Sequence, residues 1–186
     1  MPHWVNVCLA ILLLPLLLIP ILVLSLLVTI TSSGSAIHWS TRVGKNNTLF
    51  QMPKFRTMRT GTPDVATHLL TDSDQYITPL GKFLRKTSLD ELPQLWSILK
   101  GDMVFVGPRP ALHNQDDLVA LRTQSGVHQL VPGITGWAQI NGRDALTIPD
   151  KVALETYYLQ NRSFALDLKI LWGTLMTVFM RKNISH

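Results

Sequence analysis

The longest apolar stretch of the sequence, Val7–Ile30, restricts the possible folds more than any other feature. Within it, the only interruptions are Pro15, Pro20, Ser25 and Thr29. At about 1.5 Å per residue, a helix of this length can cross the hydrocarbon core of a bilayer. The stretch therefore predicts a membrane-inserted helix.

Two forms of this helix stay open, one that spans the membrane and one that re-enters it, and a third possibility is disfavoured. A cleaved signal peptide fits poorly, because no basic residue precedes the stretch and its apolar part exceeds the usual length of about 7–15 residues. A helix that spans the membrane is the simplest alternative. A re-entrant helix, which bends and returns to the same face, is the other, because Pro20 lacks a backbone donor and is expected to kink the helix. Spanning helices also tolerate proline, so Pro20 does not decide between them.

The charged residues all lie in the rest of the chain. No Lys, Arg, Asp or Glu precedes Arg42, although the 186 residues carry a formal net charge of +5. We therefore divide the chain into a membrane segment, residues 1–34, and a basic domain, residues 35–186. A basic domain beside a membrane favours phosphate-bearing partners such as membrane lipid, nucleotides or phospholipid substrates. Nucleic acid is not expected, because the sequence has no helix-turn-helix, zinc-finger or aromatic RNA-binding motif.

Two adjacent carboxylates, Asp90 and Glu91, lie where the sequence predicts the start of a helix. Ser88 followed by Glu91 has the form of a capping box, leucines then recur at helical spacing, and Gly101 is a natural stop. The positive end of the helix dipole would favour the ionised forms of both acids. Acids in a first turn are also ordinary caps, so this stretch alone leaves a structural and a chemical role open.

Three basic side chains are candidates for binding phosphate beside the acid pair. Lys54 lies in an extended segment predicted over Leu49–Met58, and Arg85 lies in a short basic helix predicted over Gly81–Lys86. Arg109 lies between two prolines, which keep its backbone extended and suit its guanidinium to a bidentate grip on phosphate. A solvated cation or an ion pair with a structural acid is the alternative for each.

A glycine-rich segment, Pro132–Arg143, follows, with a centre that alternates like a strand. Its glycines suit either tight turns or a close approach of the backbone to a ligand. Helices are predicted after it, over about Asp150–Gln160 and Ser163–Met180. The second of these is almost uncharged, which is typical of a helix in the membrane interface or of a buried core helix. We therefore expect an α+β fold that is mostly helical, with short strands.

Several motifs, taken in order, resemble those of the small monotopic phosphoglycosyl transferases, the bacterial initiating sugar transferases that load a polyprenol phosphate. The resemblance covers about residues 15–180, and the fixed order of its motifs makes it highly specific. It implies a re-entrant membrane helix and a compact cytoplasmic catalytic domain with interfacial amphipathic helices, in the minimal form of the family. The matching segments are Lys54–Met58, Leu84–Gln94, Gly101–Met103, Val106–Pro110, Pro132–Gln139, Asn141–Arg143 and Leu166–Lys169.

The resemblance also implies a reaction, in which a sugar 1-phosphate passes from a UDP-sugar to polyprenol (undecaprenyl) phosphate and UMP is released. Asp90 matches the family nucleophile, which would form a covalent phosphosugar-aspartyl intermediate. Glu91 matches the residue that binds Mg²⁺. Arg109 would steady a phosphate, and further candidates for binding substrate are Lys54, Arg85, Arg143 and Gln139.

Some properties are left open by the resemblance. An N-acetylated donor sugar is mildly preferred by similarity to the shortest members. Neither the sugar nor the glycoconjugate pathway follows from the motifs, and a homodimer and other oligomeric states are equally compatible with them.

Two departures from the family concern the membrane segment. The family usually has a Ser-Pro pair at the helix break, whereas this chain has Ile19 before Pro20 and lacks the serine hydroxyl. The family also tends to carry basic residues before the apolar segment, and this chain has none there. The implied location, the cytoplasmic face of the bacterial inner membrane, therefore rests on the basic residues after the segment.

Two other functions compete with the transferase. One is a Mg²⁺-dependent hydrolase that cleaves nucleotide sugars with water as the acceptor. The other is a non-catalytic membrane anchor whose basic domain binds acidic lipid or a partner protein.

Overall fold

The computed structural model, which describes residues 1–63, 73–142 and 145–180, begins with one long apolar helix. This helix, α1 (His3–Thr31), keeps helical backbone through Pro15 and Pro20. Among the described helices, it is the one long and apolar enough to cross a membrane by length and composition. The predicted apolar helix is therefore confirmed, whereas the bend at Pro20 stays a prediction.

Both ends of α1 pack against the rest of the protein. Near its start, Asn6 and Ala10 are buried, and the Asn6 Oδ1 atom accepts a hydrogen bond of 2.9 Å from the backbone N–H of Phe105. Near its end, Leu24 and Val28 are buried in a hydrophobic cluster with residues of the domain. The helix therefore lies along the domain, while large apolar side chains of its middle are exposed, among them Leu12, Leu16, Ile19 and Leu22.

An antiparallel hairpin follows α1. Its strands are β1 (Ile37–Val43) and β2 (Leu49–Phe55), and Lys54 pairs with His38 across the ladder. Around the end of β2, the side chains of Phe55 and Thr57 are buried, whereas that of Lys54 is partly exposed. The predicted extended segment Leu49–Met58 is confirmed, although its strand ends at Phe55.

The segment that carries the acid pair differs from its predicted form. Helices α2 (Ser73–Tyr76) and α3 (Pro79–Thr87) lead to a 3₁₀ helix, Leu89–Gln94, and then to α4 (Leu95–Lys100). The short basic helix and the stop at Gly101, a left-handed residue with φ of 86°, are confirmed. The single helix from about Asp90 is wrong, and the α-helical part begins only at Leu95. Pro93 explains this, because it cannot donate a bond inside an α-helix.

The predicted capping box is also wrong. Ser88 closes α3 in the left-handed conformation, with φ of 57°, and its side chain makes no capping hydrogen bond. A helix N-cap normally has an extended backbone, so Ser88 cannot end α3 in this way and also cap the next helix.

The C-terminal half packs helices around a short parallel strand pair. Strand β3 (Val104–Val106) pairs with β4 (Gly133–Thr135). The prediction of a strand-like centre holds only to Thr135, because the chain then turns into a helix. The helices of this half are α5 (Asp116–Gln124), α6 (Trp137–Ile140), α7 (Ile148–Gln160) and α8 (Phe164–Met180). The mostly helical fold with short strands is confirmed.

Close contact between two backbone segments explains the glycines of the Pro132–Arg143 segment. A Cβ atom on Gly133 would lie 2.1 Å from the backbone nitrogen of Gly107, and one on Gly136 would lie 2.1 Å from the Gly107 carbonyl oxygen. The absence of a Cβ atom at Gly133 and Gly136 therefore lets the backbone of Gly107 pack directly against them. This contact places the loop that carries Arg109 against β4.

Helix α8 combines the two forms predicted for it. On one side Asp167 and Ile170 are buried, with Ile170 in the core cluster that includes Tyr158. On the other side its large apolar side chains are exposed, namely Phe164, Leu168, Trp172 and Leu175. One face of the helix therefore belongs to the core and the other presents an apolar surface.

Candidate active site

Asp90 is the buried centre of the candidate site. It lies in the first turn of the 3₁₀ helix, and 9% of its surface is exposed. Burial raises the pKa of Asp90 to about 6, and the neighbouring charge of Glu91 adds to the rise. Most Asp90 carboxyls are nevertheless ionised at neutral pH. The helix start was expected to favour the ionised form of Asp90, but burial opposes that form more strongly, so the pKa of Asp90 rises.

Three predicted cations surround Asp90, and each comes from a different element. Lys54 lies on β2, Arg85 on α3 and Arg109 on the proline-flanked loop, and the charges of all three lower the pKa of Asp90 against the effect of burial. Arg85 also donates a hydrogen bond of 2.9 Å from Nε to the hydroxyl of Thr57. The fold thus brings together side chains that are distant in sequence, while their roles in binding stay predictions.

Lys54 is held in an unfavourable environment for its charge. Burial first, and then the guanidiniums of Arg42 and Arg85, lower the pKa of Lys54 to about 8, although Asp90 opposes the change. Burial likewise lowers the pKa of Arg85 from its ordinary value. A site that holds both a carboxylate and several cations against desolvation is typical of a functional centre, because an anionic ligand can offset the excess positive charge.

Arg109 is anchored to the second acid. Its Nη2 atom donates a hydrogen bond of 2.9 Å to Glu91 Oε1, and the Arg109 side chain remains 43% exposed. The sequence left open whether Arg109 binds phosphate or pairs with an acid, and the structure shows the pairing with an acid. The charge of the guanidinium also acts on Asp90, and the role of Arg109 in binding phosphate stays a prediction.

Arg42 is a cation of the site that sequence reasoning missed. Its Nη1 atom donates to the carbonyl of Pro110 at 3.2 Å, its Nε atom donates to Ser40 Oγ at 3.0 Å, and its charge acts on Lys54. No motif marks Arg42 in the sequence. The antiparallel pairing of β1 with β2 brings it to the site.

A mostly apolar cavity of about 230 Å³ opens beside the Glu91–Arg109 pair. Gln139 also lines it, and both amide atoms of that side chain are buried without a hydrogen-bond partner among the residues that the structure describes. Such a group normally costs free energy unless a ligand or water satisfies it. The apolar walls come from α1, the acid-pair segment, β3, β4 and α6, namely Leu13, Leu17, Leu92, Leu95, Phe105, Ile134 and Ile140.

Two predicted residues remain. Pro20 lies on α1, where Leu13 and Leu17 rather than Pro20 line the cavity. Arg143 lies outside the described residues.

The acid pair is the place where a divalent cation could bind. In the described parts of the chain, no group of three or more His, Cys, Asp or Glu side chains could hold a metal ion. Mg²⁺, however, often binds through one or two carboxylates and completes its shell with substrate phosphates and water. Asp90 and Glu91 fit that form of binding.

Comparison with known proteins identifies the sequence group. The model of the family described as bacterial sugar transferase matches residues 1–181. The chain is 45% identical over 145 residues to EpsL, an uncharacterized sugar transferase of Bacillus subtilis (strain 168). The aligned region covers 78% of this chain and 70% of that protein. It is 38% identical over 184 residues to the UDP-glucose:undecaprenyl-phosphate glucose-1-phosphate transferase of Escherichia coli (strain K12).

A further relative carries a different sugar in its name. It is the UDP-N-acetylgalactosamine-undecaprenyl-phosphate N-acetylgalactosaminephosphotransferase of Aeromonas hydrophila, which is 32% identical over 179 residues. The matches cover 95% and 94% of this chain for the Escherichia and Aeromonas proteins, but only 40% and 42% of those proteins. The chain thus spans less than half the length of both.

The raised pKa of Asp90 predicts a pH-dependent gain in stability for Asp90→Asn. Because the folded pKa lies above the unfolded one, the free energy of unfolding falls as the pH rises through about 4 to 6. Above this pH window the free energy of unfolding of Asp90→Asn should exceed that of the wild type by about 1–3 kcal/mol, and below the window the difference should disappear. Unfolding in detergent from pH 3.5 to 8 measures this, with the exposed Asp116→Asn as the matched control. A variant less stable than the wild type at pH 8 would contradict the inferred cost of burying this charge.

Proposed function

Because this chain belongs to the bacterial sugar transferase family, we propose that it transfers a sugar 1-phosphate from a UDP-sugar to polyprenol (undecaprenyl) phosphate and releases UMP. This would be the first membrane step in the synthesis of a bacterial glycoconjugate. One observation carries the proposal: a buried carboxylate, Asp90, lies among three cations, and an apolar cavity opens beside its neighbour Glu91 and one of those cations, Arg109. The cations suit a diphosphate donor, and the cavity suits a lipid acceptor.

In the first step, an oxygen of Asp90 attacks the phosphorus next to the sugar. The bond between that phosphorus and the oxygen bridging to UMP breaks, and UMP leaves with the electron pair. The product is a phosphosugar joined to Asp90 as an acyl phosphate. Lys54, Arg85 and Arg109 would offset the negative charge of the diphosphate, which otherwise repels the attacking carboxylate.

In the second step, a phosphate oxygen of the polyprenol phosphate attacks the same phosphorus. The acyl phosphate bond breaks, Asp90 regains its carboxylate, and the product is a polyprenyl diphosphate sugar. The covalent route divides one difficult displacement into two easier ones. The nucleophile must be ionised, and the pKa of about 6 for Asp90 allows this near neutral pH while burial keeps the carboxylate poorly solvated.

Glu91 is the proposed ligand for Mg²⁺, with Asp90 beside it. When bound, the ion would offset charge on the diphosphate and on the leaving UMP. Arg109 would hold Glu91 in place through its hydrogen bond of 2.9 Å. Gln139, with its two buried amide atoms, is the proposed polar contact to substrate inside the cavity.

The donor is proposed to be a UDP-sugar, with a mild preference for an N-acetylated one. Relatives named for UDP-glucose and for UDP-N-acetylgalactosamine are both similar to this chain, so a donor screen that reads out UMP release is needed to identify the sugar.

Incubation with a UDP-sugar that carries ³²P in the phosphate next to the sugar, without polyprenol phosphate, tests the proposal. We expect label to remain on the protein at about one per chain, to be lost in Asp90→Asn, and to transfer to polyprenol phosphate when this is added. The exposed Asp116→Asn is the matched control. Steady release of free sugar phosphate would instead support the hydrolase, and no reaction with any UDP-sugar would support the anchor.

We further propose that α1 is re-entrant and that the domain lies on the cytoplasmic face of the inner membrane. The support is the packing of both ends of α1, at Ala10 and at Val28, against the same domain. A helix that crossed the bilayer would carry one end away from a domain in the aqueous phase.

Cysteine labelling tests this topology. In a Cys8→Ser background, Trp4→Cys and Ser33→Cys should react with a membrane-impermeant maleimide from the same side of the membrane. That side should also be the one from which Asp116→Cys reacts, since Asp116 is exposed on the domain. Labelling of Trp4→Cys and Ser33→Cys from opposite sides would exclude the re-entrant form.

The cavity is proposed to hold the part of the polyprenol next to its phosphate. Leu17 lines the cavity, whereas its neighbour Leu18 is exposed on α1 and is not one of the lining residues. Leu17→Trp should therefore raise the KM for polyprenol phosphate at least about tenfold, because the larger ring fills the space, and should leave formation of the ³²P-labelled protein unchanged. Leu18→Trp should change neither. Equal effects of the two variants would contradict this assignment.

A further inference from the structure

The loop that carries Arg109 is held through its carbonyl groups. Pro108 and Pro110 have no N–H group, so the loop cannot be fixed by donating from these positions. Instead, four successive carbonyls from residue 108 to residue 111 each accept a hydrogen bond. The donors are, in order, Gly133 N at 2.9 Å, Arg122 Nη2 at 2.9 Å, Arg42 Nη1 at 3.2 Å and Val43 N at 2.9 Å.

The donor to the Arg109 carbonyl, Arg122, is itself held by a buried carboxylate. Arg122 lies on α5 and donates from Nε to Glu155 Oε2 at 2.8 Å and from Nη2 to Glu155 Oε1 at 2.5 Å. Glu155 lies on α7, and its side chain is only 2% exposed. The planar guanidinium has five N–H donors in a fixed fork, so it can bind both carboxylate oxygens and a backbone carbonyl at once.

A buried ion pair of this kind needs a reason beyond stability. Removing two charges from water is costly, and a well-packed apolar pair often stabilises a protein equally well. An apolar pair, however, could not donate to the carbonyl of Arg109. The pair thus makes a connection from α7 through Arg122 to the backbone of the residue whose side chain binds Glu91.

We propose that Arg122 is a positioning residue for Arg109 and that Glu155 orients Arg122 for this purpose. Arg122 does not contact the substrate. Its hydrogen bond fixes the backbone from which the Arg109 side chain reaches Glu91 and the donor diphosphate. The inference rests on the proposed function for the identity of that ligand, and it adds two residues that the sequence motifs did not mark.

A double-mutant cycle between residues 122 and 109 tests the connection. Arg122→Lys keeps the charge that faces Glu155 but loses the fork, so kcat/KM for UMP release should fall roughly tenfold to a hundredfold, as expected when a binding group is misplaced. If Arg122 acts through Arg109, the double variant Arg122→Lys/Arg109→Ala should match Arg109→Ala alone within about twofold. Effects that multiply would overturn the proposal, because they would show that Arg122 acts independently of Arg109.

A matched control separates positioning from stability. Leu159 lies one turn after Glu155 on α7 and packs against the core cluster that includes Tyr158. The control variant Leu159→Ala should therefore lower the Tm without a change in kcat/KM.

A second variant, Glu155→Gln, keeps the side-chain volume and replaces Arg122→Lys in the cycle if Arg122→Lys does not fold. Its effect on kcat/KM should be smaller than that of Arg122→Lys and should likewise vanish in the Arg109→Ala background. An effect of Glu155→Gln that persists in that background would overturn the proposal.

Binding of UDP, measured by calorimetry, keeps this test separate from the test of catalysis. The Kd for UDP should rise in Arg122→Lys, and the rise should again vanish when Arg109 is already Ala. If the wild type binds UDP but releases no UMP from any UDP-sugar, the proposed function fails, and the cycle in Kd still decides the role of Arg122. A Kd for UDP that is unchanged in Arg122→Lys would overturn that role.

Discussion

The burial of a charged carboxylate among cations is the constraint on which the rest of the structure depends. Asp90 is nine-tenths buried, and burial shifts its pKa upward while the same environment shifts the pKa of Lys54 downward. Each charge is costly by itself, and each lowers the cost of the other. The strand, the basic helix and the proline-flanked loop meet at this point, and the connected hydrogen bonds behind Arg109 keep the arrangement from relaxing.

The apolar helix α1 is part of the same arrangement. Helix α1 packs against the domain near both of its ends and supplies Leu13 and Leu17 to the cavity beside Glu91 and Arg109. A lipid that lies along α1 could therefore bring a polar head to the charged site without leaving an apolar environment. This geometry joins the two halves of the proposed reaction, since the donor is a soluble nucleotide sugar and the acceptor is a lipid.

Sequence reasoning predicted the apolar helix, the extended segment that contains β2, the basic helix and the two C-terminal helices with small errors of bounds. It also predicted that Lys54, Arg85 and Arg109 lie near Asp90. It failed at Ser88, because the form of a capping box does not reveal that this residue already ends the preceding helix. It missed Arg42 and Arg122, because an arginine that binds the backbone of a distant loop leaves no pattern among its own neighbours.

The sequence by itself determined most of the elements, because periodicity, proline and glycine act within a few residues of chain. Its order of motifs also determined the family. Only the tertiary structure decided that Asp90 is desolvated, that the charges of three guanidiniums act on Lys54, and that Gly133 lies against the backbone of Gly107. Desolvation and Coulomb interactions depend on distances between groups and on their exclusion from water, and neither quantity exists until the chain has packed.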